Sequence, residues 1–239
     1  MTTHHLIPIL GKRIRITTLD DCGNPPDPSD EDGFIATDGF IRVALSAETD
    51  TGAEIITKKA DGSLCVNEKL ADSFKRFGVE IQFCGVNPSI ASFVSNAEPY
   101  EDYAGDIAGF TVGEGPISKR FALELWTGLS GQACAPGVEE ASGYILLPFL
   151  TAGVVGTNEI TGEAAIDFTM TGAATKGGNN WGVGPYNVVM NGQTDSALPT
   201  PLDPLDHLLM IDTALAPPPS SLEPQAMPAA PVTTTTTTT

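Results

Sequence analysis

Between residues 12 and 170 the chain is a succession of short extended-pattern segments, each bounded by Gly, Asp, Asn or Pro. KRIRITTL (12–19) alternates basic or polar with apolar residues and runs into the turn DDCGNPPDP. FIRVALSAE (40–48), AEIITKK (53–59), VEIQFCGV (79–86), IAGFTV (107–112), KRFALELW (119–126), GYILLPFLT (143–151) and EAAIDFTM (163–170) follow. A period of two sends alternate side chains to opposite faces of a strand, so one face can be buried. Strands this close together, joined by turn chemistry, predict a mainly β chain: an antiparallel β-sandwich or barrel. The 25 glycines and 19 prolines favour turns over long helices. At 239 residues and 41% apolar, the chain can bury one large core or two small ones.

One or two short helices interrupt the pattern. In NPSIASFVSNAE (87–98), Asn87 can cap, Pro88 suits the first helical position, and Ile90, Phe93 and Val94 share a face. A weaker helical signal covers NEKLADSFKRF (67–77). After residue 198 the composition changes: nine of the 19 prolines lie there, and no aromatic follows Tyr186. LDHLLMIDTAL (205–215) can still add a strand or a turn of helix. The division expected is a β domain over 1–215 and an extended, low-complexity Pro/Thr-rich tail over 216–239.

Twelve basic against 30 acidic side chains give a net charge of −18. Such a surface does not hold nucleic acid, since affinity there comes from neutralising phosphates. MTTHHLIPIL lacks the basic n-region of a signal peptide, and no apolar run reaches membrane-spanning length, so no membrane association is expected. Cys22, Cys65, Cys84 and Cys134 contain no CxxC and are expected to be reduced and mostly buried.

The stretch TGAATKGGNNWGVGPYNVV (171–189) is the first candidate for chemistry. It lacks the GK[ST] ending of a P-loop, and Pro185 and Tyr186 follow GVG where a dinucleotide fingerprint needs a helix. It reads as a strand-to-strand loop anchored by Trp181. Histidine is limited to His4, His5 and His207, too few for a metal centre or a catalytic triad to be expected. GLSG (128–131) does not match GxSxG. In DPSDEDG (27–33), aligning Gly33 with the EF-hand glycine leaves Asp30 and Asp32 as ligands but puts Pro28 and Gly39 on two others. Carboxylate pairs such as Glu139–Glu140 and Glu101–Asp102 are commonplace in so acidic a chain. The expectation is a non-enzyme with no cofactor and no metal.

Four stretches together resemble the major tail proteins, or tail tube subunits, of long non-contractile-tailed phages of actinobacteria. They are RIRITTLDDCGNP with the FIRVALSAE strand; RFGVEIQFCGVNPSIASFV; KRFALELWTGLSGQAC; and ITGEAAIDFTMTGAATKGGNNWGVGPYNVV. The resemblance spans roughly residues 12–192 and rests on pattern rather than on catalytic motifs. It implies a β-sandwich or barrel of the tail tube type with a flanking short helix. Subunits of that family form hexameric rings, which stack into a hollow tube around a tape-measure protein and meet terminator and tip proteins at its ends. The tube is assembled in the host cytoplasm, belongs to the virion tail, and passes DNA without specific binding. An acidic lumen would repel DNA from the wall. The resemblance also implies that the glycine-rich stretch is a subunit contact, with Trp181 and Tyr186 as buried anchors and Gly182 and Gly184 allowing close backbone approach. Two other readings stay open: another virion β-sandwich protein (head decoration or baseplate ring), and a cell-surface or sugar-binding β module.

Overall fold

A computed structural model of the chain describes residues 7–28, 30–85, 87–129, 142–156, 167–178 and 180–229. Its elements are β1 (Pro8–Leu19), β2 (Phe34–Thr37), β3 (Phe40–Asp50), β4 (Glu54–Lys58), β5 (Leu64–Lys69), β6 (Ser73–Phe83), α1 (Pro88–Val94), β7 (Ala97–Glu101), β8 (Ile107–Val112), β9 (Arg120–Leu129), β10 (Ser142–Thr151), β11 (Val154–Val155), β12 (Phe168–Thr175), β13 (Val189–Asn191), β14 (Thr194–Ser196) and β15 (Leu209–Thr213). All pairings between these strands are antiparallel.

The main sheet runs β2-β1-β9-β10-β12-β6-β3, with β15 added to β10 and β11 to β12. Its two ends do not meet, so the sheet is a folded sandwich and not a closed barrel. The fold-over lies at β10. Residues 142–146 of β10 pair with β15, whereas only Leu150 and Thr151 reach β12. Pro148 marks the change: it has no N–H for the ladder, and the β9 register slips between Leu147 and Leu150. Between the two layers lies the larger core, with Ile14, Ile16, Leu123 and Leu147 on one side and Ile81, Phe83, Phe168 and Met170 on the other.

The helix α1 closes one end of this core with Ile90, Ala91, Phe93 and Val94. Asn87 caps it as expected, its Oδ1 accepting from Ser89 N at 2.9 Å and Ile90 N at 3.2 Å. The helix is shorter than the expected 87–98. Pro99 would clash with the carbonyl of Ser95 and cannot donate to it, so the chain leaves the helix and enters β7. The helix expected over 67–77 does not form. Asn67–Lys69 complete β5, and Phe74 and Phe77 pair with Thr49 and Ala47 of β3 in β6. A ladder with β3 outweighs a weak local propensity.

The layer β1-β9-β10 is buried on both faces, which explains why β9 is buried almost throughout. Its second face carries a smaller core of Ala122, Trp126, Tyr144 and Leu146, covered by Trp181, Tyr186, Val188 and Leu198 and by Met227. Met227 ties part of the expected tail, 216–239, to the β domain. Gln225 exchanges backbone hydrogen bonds with Phe34, Ser221 N donates to Ala36 O, and Met227 N donates to Asp30 O. Residues 221–227 thus form a strap along the outer edge of β2. A chain without periodicity still docks when an edge strand offers its unpaired groups and one apolar side chain has a socket. Residues 230–239, including the threonine run, lie outside the described residues, as do His4, His5, Cys134, Glu139–Glu140 and the start of EAAIDFTM.

Candidate functional site

The glycine-rich stretch starts as β12 and then wraps the smaller core. Gly177, at φ 98, and Gly178 allow the 203–204 backbone to approach: a Cβ on either would stand 2.3 Å from a carbonyl oxygen of that segment. Gly184, at φ 82, sits under the Trp181 indole, where a Cβ would lie 2.8 Å from Nε1. Gly184 N donates to Trp181 O at 2.9 Å, and Leu202 N donates to Gly182 O at 2.9 Å. Trp181 and Tyr186 come together, with centroids 6.5 Å apart, and each is only 4% exposed. Their area is therefore used inside the chain. What the loop offers outward is the exposed Lys176, Asn180 and Asn187, with Gly182, Val183 and Gly184 half-exposed.

Beneath Tyr186 lies a polar cluster that strand alternation alone would have sent to solvent. Arg15 of β1 and Glu124 of β9 are register partners. Arg15 Nε donates to Glu124 Oε2 at 2.5 Å and Nη2 to Oε1 at 2.6 Å; Tyr144 Oη donates to Oε1 at 2.6 Å. The guanidinium carbon lies 3.3 Å from the Tyr186 ring centroid and 5.1 Å from that of Trp126. Tyr186 Oη lies 2.9 Å from Thr17 Oγ1 and 3.4 Å from Met227 Sδ. Burial opposes the Arg15 charge, yet Glu124 outweighs it and holds the guanidinium pKa above its ordinary value. Burial, then Glu124, pushes the Tyr144 hydroxyl well above the phenol range, with Arg15 working against them. A fully paired charge enclosed by rings is an anchor for the smaller core, not a group exposed to a reactant. The sequence signal was present: one charge between apolar neighbours on each of two strands, IRI and LEL, with opposite signs.

The remaining histidine, cysteine and acidic residues are scattered over the fold. His207 is half-buried, its Nδ1 2.6 Å from Thr175 Oγ1, which itself accepts from Phe77 N at 2.9 Å. Partial desolvation lowers the His207 pKa, with Asp206 opposing. Among the described residues no His, Cys, Asp and Glu side chains gather in a group of three or more fit for a metal. Cys22, Cys65 and Cys84 are exposed free thiols, correcting the expectation of burial. Cys22 and Cys84 lie in turns just after a strand, and Cys65 lies on a ribbon with no core beneath it. No helix among the described residues is long and apolar enough to cross a membrane.

Among the described residues three two-stranded ribbons lie outside the main sheet, β13–β14, β4–β5 and β7–β8, and the last two carry the unusual surfaces. Among the described residues β4 pairs only with β5, and β7 only with β8, whose inner side packs Ala97 and Phe110 on the larger core. Every residue of β4 and β5 is exposed, including Ile55, Ile56, Leu64 and Val66. On the second ribbon and its turn, Tyr100, Tyr103, Ile107 and Val112 are exposed. Among the described residues no element of the subunit covers these side chains, so they are the candidate interaction surface. A comparison with protein family models and another with curated proteins each find no match.

Proposed function

We propose that the chain is a virion structural protein, the tail tube subunit of a long non-contractile-tailed phage, whose copies form hexameric rings stacked into the genome conduit. The observation that carries this reading is the β4–β5 ribbon, exposed along its whole length, together with the exposed apolar side chains of β7–β8 and its turn. A two-stranded ribbon is marginal in water without a third strand or a packed face, and apolar side chains gathered on it call for a partner. The outer edge of β3, at the end of the main sheet, adds a row of backbone groups that a neighbouring strand can satisfy. The net charge of −18 suits a conduit, because DNA carries about one negative charge per 1.7 Å of axis and is repelled by acidic walls. Tape-measure, terminator and tip proteins are the partners this reading assigns, and the virion tail is the location. Sedimentation velocity of the purified chain over a range of concentrations and salt tests it. Discrete large species growing with concentration support the reading; a monomer throughout counts against it.

A further inference from the structure

Both ribbons carry exposed apolar side chains, but their charges differ. The segment 97–112 holds Glu98, Glu101, Asp102 and Asp106 and no basic residue. Glu98 is answered within the subunit by Lys119 at 3.0 Å. Glu101, Asp102 and Asp106 meet no cation among the described residues, and Asp102 Oδ1 is occupied by Ala104 N and Asp106 N, which hold the turn. The β4–β5 ribbon ends in the adjacent Lys58 and Lys59. Among the described residues, Arg13, Arg15, Arg42, Lys69, Lys75, Arg76 and Lys119 stand in ion pairs with carboxylates, and the two tip lysines stand in none. The one acid in their turn, Asp61, accepts from Ser63 N and Ser63 Oγ instead. In a chain of net charge −18, two neighbouring unpaired lysines on an exposed apolar ribbon are out of keeping with the rest of the surface.

We propose that the β4–β5 tip of one subunit docks on the β7–β8 ribbon of a second copy. Lys58 and Lys59 then face Glu101 and Asp106, while Ile55, Ile56, Leu64 and Val66 meet Tyr100, Tyr103, Ile107 and Val112. This rests on the self-assembling reading above and names the two surfaces that meet. The surfaces differ, so the contact is head-to-tail: each copy gives a tip and receives one, and the contact propagates into a ring or a filament. Opposite charges set the register and speed the encounter, and like charges in the same place forbid it.

A charge exchange tests this. One variant carries Lys58→Glu with Lys59→Glu; the other carries Glu101→Lys with Asp106→Lys, leaving Asp102 to hold its turn. All four positions are exposed, and thermal melting verifies that both variants stay folded. Each variant alone is expected to need at least about tenfold more protein than the wild type to assemble, since like charges now face each other. Mixed in equal amounts, the two restore both contacts by alternating, and assembly returns. Wild-type assembly by either folded variant alone overturns the proposal, as does a mixture that stays unassembled. Unchanged assembly with altered retention of duplex DNA also overturns it, and gives the tip lysines to nucleic acid. A wild type that never assembles removes the self-assembly reading along with the contact; a wild type that assembles regardless of these charges removes only the contact.

Discussion

Arg15 and Glu124 face each other across β1 and β9, joined by hydrogen bonds of 2.5 and 2.6 Å, and neither reaches solvent appreciably. Removing one partner leaves a buried charge without compensation, at about 3–5 kcal/mol. Arg15→Met and Glu124→Leu are each expected to lose stability on that scale in denaturant unfolding. The double variant should lose clearly less than the sum, because no orphaned charge remains. Additive losses would show that the pair is not coupled.

The same cluster gives the fold an alkaline limit. Burial raises the pKa of Tyr144 and of Tyr186 in the folded chain. Once unfolded, both ionise near pH 10. Above that pH the unfolded chain binds fewer protons than the folded one and is favoured. This contribution is whole below about pH 10 and declines as the pH rises further. Unfolding midpoints should therefore fall above about pH 10, and the phenolate absorbance of these two residues should appear together with loss of the fold. Ionisation of all four tyrosines in a chain that is still folded contradicts this.

Trp181→Ala empties part of the smaller core. A large aromatic removed from a packed site costs about 3–5 kcal/mol. The loss should appear in the melting of the subunit itself. Unchanged melting with impaired assembly would return Trp181 to a subunit contact.

The strap is held by one side chain and a few backbone bonds. Met227→Ala should destabilise the subunit by about 2–5 kcal/mol, and Met227→Leu by less than about 1.5 kcal/mol. Deleting residues 217–239 removes Met227 and uncovers the β2 edge, so aggregation should accompany the loss of stability. A deletion variant that melts and sediments like the full chain would show the strap to be dispensable.

The strands that line the larger core are legible because a half-buried strand writes its burial as alternation; in VEIQF of β6, for example, Val79, Ile81 and Phe83 are buried and Glu80 and Gln82 are not. Asn87 and Pro88 mark the start of α1, but its end is set by Pro99 and by entry into β7. The charges in IRI and LEL mark Arg15 and Glu124, but their burial escapes pattern reading because KRIRITTL looks the same whether its polar face meets water or a second core. That second core is built by Trp181, Tyr186 and Met227, which come from 166 to 212 residues further along the chain. The strap escapes it because its docking depends on backbone groups, which every sequence shares. Of the expected contact residues, Trp181 and Tyr186 are anchors, but their area is buried within the chain. Of the ribbons, AEIITKK and IAGFTV read as strands, whereas β5 and β7 do not, since the end of β5 and the start of β7 fall in stretches with a helix-like pattern; which of their side chains stay exposed cannot be read from pattern.

Electron microscopy of the purified full-length chain, at concentrations where sedimentation detects large species, tests self-assembly most directly. Hollow six-fold rings, or tubes built by stacking them with an acidic inner wall, are the predicted result. Monodisperse single subunits at every concentration and salt, or a tube with a basic inner wall, would contradict the account.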